Sequence, residues 1–194
     1  MHLDPINGIG LEAVRQFTKA GGTHLVLVGK TLRDWGIHGL GLEDFKAGFE
    51  KTIKLSKSVN SGTDATALTV LGVHPSEFLA MIDTMGPERA YEVAIDVMEH
   101  LASLYLDNAI DGIGEVGRPH FPVDEEKWAL SNRLMGEFLQ VAARLDCPLQ
   151  LHTEHFDEGK YLELGEMVRK NGNPRKVIKH FSPPLTGSAE VAGV

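Results

Sequence analysis

Along this chain, short apolar runs alternate with longer segments in which apolar residues recur every three or four positions. The runs are Thr23–Gly29 (THLVLVG), Thr66–Pro75 (TALTVLGVHP), Ala109–Gly117 (AIDGIGEVG), Cys147–Thr153 (CPLQLHT) and Lys176–Pro184 (KVIKHFSPP), preceded by a strand stub at MHLDP. Their mostly continuous apolar character suits strands covered on both faces. Between them, Leu11, Val14 and Phe17 fall on one helical face ahead of Gly21-Gly22, a C-terminal stop. Phe45, Phe49, Ile53 and Leu55 mark a second helix, and GPERAYEVAIDVMEHLASLYLD opens a third with Pro87 just inside its start. Asp124 is the expected N-cap of a fourth, with acids in its first turn, and DEGKYLELGEMVRKNG closes a fifth on Arg169, Lys170 and Gly172. The last residues, SPPLTGSAEVAGV, are expected to enter a sixth.

Strand alternating with helix predicts an α/β fold with a parallel sheet and right-handed crossovers, and the length suits a single domain over 1–194. Two architectures fit that order. A doubly wound sheet calls for a Gly-rich phosphate loop after its first strand, and NGIGLE follows only a stub. A (β/α)8 barrel places its chemistry at the C-terminal ends of its strands. His2, His74, Glu115, His152 and His180 each sit at the end of a different run. That coincidence favours the barrel.

Glu115 lies between small apolar neighbours, where an unpaired carboxylate would cost several kcal/mol. Protonation, an arginine partner or a cation would each neutralise it, and Arg118 is close by. Imidazoles with a carboxylate are a ligand set for divalent cations, and their shared placement at strand ends favours the cation. His24, His38 and His100 read as packing or surface residues, whereas His120 and His155, just past strand ends, stay open. Arg118 is either a structural ion pair or a contact for a substrate anion.

Composition narrows the partners. A formal charge of −8 argues against an extended duplex footprint but leaves room for a small site that carries its own cations. Cys147, the single cysteine, excludes an intrachain disulfide and reads as core. No apolar run approaches the roughly twenty residues of a membrane span, so a soluble, cytoplasmic protein with no membrane partner is expected.

These motifs resemble those of the TatD-related metal-dependent hydrolases of the amidohydrolase superfamily. MHLDP looks like the second half of an opening H-x-H motif, GVHPSE like its G-x-H-P segment, and IGEVG like the G-E-[IV]-G signature. LHTEH and KHFSPP stand where the family carries histidine ligands. The resemblance implies one or two divalent ions (zinc, manganese or magnesium) held by His2, Glu115, His152 and His180. Glu115 and His74 would serve catalysis, and His74 and Arg118 would contact substrate. The implied reaction is hydrolysis of a phosphodiester, as in a deoxyribonuclease acting on a DNA end; the alternatives are a small amide or lactone, or a fragment of reduced activity. Three departures stand out. The first histidine of H-x-H and the aspartate of strand eight have no counterpart, and Glu154 replaces an arginine. About six βα units, against about 250 residues for a whole barrel, predict an incomplete barrel with open edges. Such a chain would be a fragment or would close against another chain, as in a homo-oligomer.

Overall fold

The structure, a computed structural model, describes residues 1–155 and 157–180. Five parallel strands form one sheet in chain order: β1 (His24–Val28), β2 (Thr66–Leu71), β3 (Gly112–Gly117), β4 (Leu149–His152) and β5 (Val177–Lys179). The sheet curls as a half-barrel, so the α/β fold is that of an incomplete (β/α)8 barrel. Helices α1 (Leu11–Lys19), α2 (Leu42–Gly62), α3 (Pro75–Met85), α4 (Pro87–Leu106), α5 (Glu125–Leu145) and α6 (Glu158–Asn171) carry the chain between strands. Residues 1–4 form no assigned strand, yet Met1 lies beside β1: its amine donates to Val26 O at 2.8 Å and its carbonyl accepts from Val28 N at 3.0 Å. The expected sixth helix and Phe181 to Pro184 of the last run fall outside the described residues.

The helix signals act locally as the sequence suggests. Asp124 accepts a hydrogen bond from Lys127 N at 2.8 Å, satisfying one of the orphan donors of α5, and Asp157 does the same for Lys160 N in α6. One helix escapes the pattern. The stretch after GVHP forms α3, and Gly86, at φ 83°, turns the chain so that Pro87 can start α4 at once. Because apolar spacing continues across the break, periodicity does not reveal it; the Gly-Pro pair does.

The main core lies between the outer face of the sheet and α2 to α6, where Leu71, Ile113, Leu149 and Leu151 meet Phe78, Met135, Phe138 and Leu139. Each such side chain contributes about 1.5–3 kcal/mol through burial. A smaller cluster of Leu3, Val14, Leu25, Leu27 and Val59 fixes α1 and residues 1–4 against β1. The expectation of strands covered on both faces holds only in part. Register partners Val26 and Leu68 stand side by side on the inner face, 41 % and 42 % exposed.

Glycines bring β3 close enough to its neighbours to present Glu115. The β3–β4 register shifts between Ile113 and Val116, and Gly114 has φ 142° within that irregularity. A Cβ on Gly114 would lie 2.5 Å from Gln150 O, and one on Gly72 would lie 2.8 Å from Glu115 O. These positions require glycine for close backbone approach.

A candidate metal centre at the strand ends

Four imidazoles, those of His74, His152 and His180 past or at strand ends and that of His2 from the segment beside β1, surround the Glu115 carboxylate. Glu115 Oε1 lies 3.3 Å from His180 Nε2. Its Oε2 lies 3.7 Å from His74 Nε2, 3.7 Å from His152 Nδ1 and 3.9 Å from His2 Nε2. The rings pack on one another, His74 edge-on to His152 at 4.5 Å between centroids and His180 stacked on His152 at 5.8 Å. Burial opposes ionisation of Glu115, but His152, His180 and His2 outweigh it and hold the carboxyl below its ordinary range. Burial, helped by His152, takes His74 down to about 4 against the pull of Glu115, so His74 is neutral at pH 7. Burial also lowers His180.

Two atoms in this cluster are conspicuous. Glu115 Oε1 and His152 Nδ1 are buried and make no hydrogen bond among the described residues. A buried acceptor left unmade costs about 1–3 kcal/mol, more when charged. A carboxylate oxygen and an imidazole nitrogen, both buried and without a hydrogen bond, are a donor set that a divalent cation would satisfy. One nitrogen or oxygen from each of His74, Glu115 and His152 lies within 4.8 Å of the others, although its own hydrogen bonds remove His74 from the ligands.

Hydrogen bonds divide these imidazoles into different roles. His74 caps α3: its Nδ1 accepts from Ser76 N at 3.2 Å and lies 2.7 Å from Ser76 Oγ. A backbone N–H cannot reverse its polarity, so the neutral ring carries its proton on Nε2. His74 therefore faces Glu115 as a donor and has no lone pair there for an ion. His180 differs. Its Nδ1 sits 3.3 Å from the Gln150 amide, which can turn over to accept from Nδ1–H, so that Nε2, 3.3 Å from Glu115 Oε1, keeps its lone pair.

Comparisons with known proteins give the family of the chain. The profile of one family, TatD related DNase, matches residues 1–193. The chain belongs to the TatD related DNase family. It is 30 % identical over 197 residues to an uncharacterized protein of Methanocaldococcus jannaschii, covering all of this chain and 68 % of that one. An uncharacterized amidohydrolase from Saccharomyces cerevisiae superposes on 82 % of this chain with a TM-score of 0.52 at 16 % identity, a likeness of fold alone. The chain spans 44 % of that amidohydrolase's length.

Within this TatD-family chain the remaining sequence candidates separate. Arg118, expected either as a structural ion pair or as a substrate contact, is fully buried and ion-paired in the wall. Its guanidinium meets Glu154 through a fork of two contacts at 3.1 and 2.9 Å, bonds Glu163 at 2.7 Å and packs over Trp128. Glu154, which replaces the family's arginine, is thus the partner of an arginine carried on the neighbouring strand end. His155 is exposed, and His24 and His38 lie on the surface, while His100 stacks on Phe49 among the outer helices. His120, left open by the sequence, bonds His152 at 2.8 Å.

Beside the cluster lies a cavity of about 330 Å³ whose wall includes His2, His74, Glu115, Asp4, Lys30 and Asp34. Lys30 was not singled out from the sequence. It follows β1 directly, so the strand-end rule that finds His74 could have found it. Its ammonium is 2.7 Å from Asp4 Oδ2 and sits over the Trp35 ring, tying residues 1–4 to the end of β1.

Proposed function

We propose that this protein is a divalent-metal-dependent hydrolase whose ion or ions are held by Glu115, His152, His180 and His2. The observation that carries the reading is the buried, unbonded Oε1 of Glu115, with imidazoles on every side. A bound divalent cation would supply an activated water and a Lewis acid for the scissile group. The chain's own residues do the rest. His74 presents a fixed Nε2–H toward the centre, where it can donate to a substrate oxygen or to solvent, and its Nδ1 bond to the α3 N-terminus prevents the ring from turning. Glu115 keeps its negative charge because the surrounding rings favour ionisation. The cavity beside the cluster admits a small substrate or a chain end, and the −8 net charge disfavours a long duplex.

Family kinship supports a phosphodiester as substrate. A specific feature supports a second reading, a small amide or lactone: Lys30 in the cavity wall and Arg118 past the end of β3 are each already matched to carboxylates. Purified chain loaded with zinc or manganese should hold the ion, and Glu115→Gln should deplete it by at least about tenfold, in line with loss of a charged ligand. A substrate set of bis(p-nitrophenyl) phosphate, single-stranded DNA ends, a γ-lactone and an N-acyl amide separates the two readings. Metal content that Glu115→Gln leaves unchanged would overturn the proposal.

A further inference from the structure

We propose that His120 is a positioning residue for His152, accepting a hydrogen bond from its Nε2–H so that Nδ1 is left bare toward Glu115. The inference rests on the metal-dependent reading above and adds a residue outside the four ligands. His152 is wedged between His74 and His180, with ring centroids at 4.5 and 5.8 Å, and neither contact fixes which nitrogen carries its proton. The bond that can do so is to His120, whose Nδ1 lies 2.8 Å from His152 Nε2. The opposite edge of His152 is the buried Nδ1, 3.7 Å from Glu115 Oε2 and without a hydrogen bond among the described residues.

An imidazole that offers Nδ1 to a cation must carry hydrogen on Nε2, and a neutral acceptor there holds both the tautomer and the ring plane. His120 is placed to be that acceptor. It reaches the site from the loop after β3, two residues past Arg118, and its other face is set edge-on to Phe121 at 5.2 Å. Arg118 in turn is locked to Glu154, two residues past His152, so the ion pair holds the β3 and β4 strand ends in the register that the imidazole bond requires. A backbone bond from Arg118 N to His152 O at 2.9 Å makes the same connection.

The test compares His120→Phe, which keeps a ring but no acceptor, with His120→Gln, which restores an acceptor oxygen. Zinc affinity is read by chelator competition on the full chain, and the His152 imidazole by two-bond ¹H–¹⁵N correlation in the zinc form. Removing such a partner typically weakens a site 10–100-fold. Because His120 is open to solvent and water can replace part of its role, the expected loss for His120→Phe is about tenfold, at the low end of that range. The His152 Nε2–H signal should exchange away in this variant, and His120→Gln should recover both affinity and signal. Unchanged zinc affinity and a retained signal in His120→Phe would overturn the inference while Glu115→Gln still depletes zinc. Equal losses in both variants, with a His120 nitrogen of the parent zinc form showing the shift of a bound ligand, would overturn it in favour of direct ligation. Zinc that survives Glu115→Gln would remove the hydrolase reading and this inference together.

Discussion

Replacing Glu154 by glutamine should destabilise the protein about twice as much as replacing Glu163, although both carboxylates hold the same guanidinium. Arg118 is fully buried, and stripping a buried charge of its partner costs about 3–5 kcal/mol. In Glu154→Gln the loss is partial: glutamine still offers one acceptor, and Glu163 at 2.7 Å and Asn132 at 3.3 Å remain. About 2 kcal/mol is the expected cost. Glu163 is on the solvent side, its side chain 55 % exposed, where ion pairs contribute at most about 1 kcal/mol. Urea unfolding with unchanged m would report the difference, and melting should fall by about 4–8 °C for Glu154→Gln in a chain of this size. Arg118→Met should be at least as costly, since it leaves Glu154 buried. Arg118→Met with Glu154→Leu should recover much of that loss, because an apolar pair needs no desolvated charge. Equal costs for the two glutamates would refute the reasoning. So would an Arg118→Lys variant that raises KM with no loss of stability, since that is the signature of a substrate contact.

Cys147, whose thiol burial pushes up to about 11, should react with a disulfide reagent at pH 8 only after the chain is unfolded; rapid labelling of the native protein would contradict its place in the core. Gly114→Ala should lower both stability and zinc binding, because its Cβ would meet Gln150 O at 2.5 Å in a backbone held at φ 142°; wild-type melting and zinc content in this variant would count against the account of β3. In the metal-free protein two buried groups should oppose one another with pH. His74, lowered from 6.5 to about 4, contributes stability present above its unfolded value and lost as pH falls toward 4. Glu77, raised by burial from 4.5 to about 7, contributes stability present at low pH and lost as pH rises through 7. Each is worth at most about 3 kcal/mol. Glu77→Gln should therefore make stability climb more steeply between pH 4.5 and 7 than in the parent, a slope readable by urea titration.

The site was legible in the sequence to the extent that chemistry follows strand ends. His74, Glu115, His152 and His180 each follow or end an apolar run, and curling a parallel sheet brings such positions together whatever lies between them, while backbone bonds from Met1 to β1 bring His2 beside them. What could not be read was pairing across the curl. Arg118 and Glu154 are 36 positions apart, and nothing local to either shows that one guanidinium will consume the other's carboxylate. The His120–His152 bond, 32 positions apart, is hidden for the same reason. Helix α3 was missed for a different cause: the Gly86-Pro87 start of α4 was legible, but the 11 residues of α3 directly follow a run read as strand.

The ion pairs across the curl also set the charge of the site. Lys30 is matched by Asp4, and Arg118 by Glu154 and Glu163, so neither brings an unmatched positive charge to the site. His74 is neutral at pH 7, and Glu115 is anionic. Without an ion, the strand ends present a negative centre to an incoming substrate, on a chain that is already at −8. Attraction for an anionic substrate group would then rest largely on a cation held at Glu115. Binding of a phosphodiester analogue should consequently depend on metal and weaken with Glu115→Gln, whereas a neutral lactone analogue should retain part of its affinity in the metal-free protein. Equal dependence of both analogues on the metal would show that the walls do not set the charge preference.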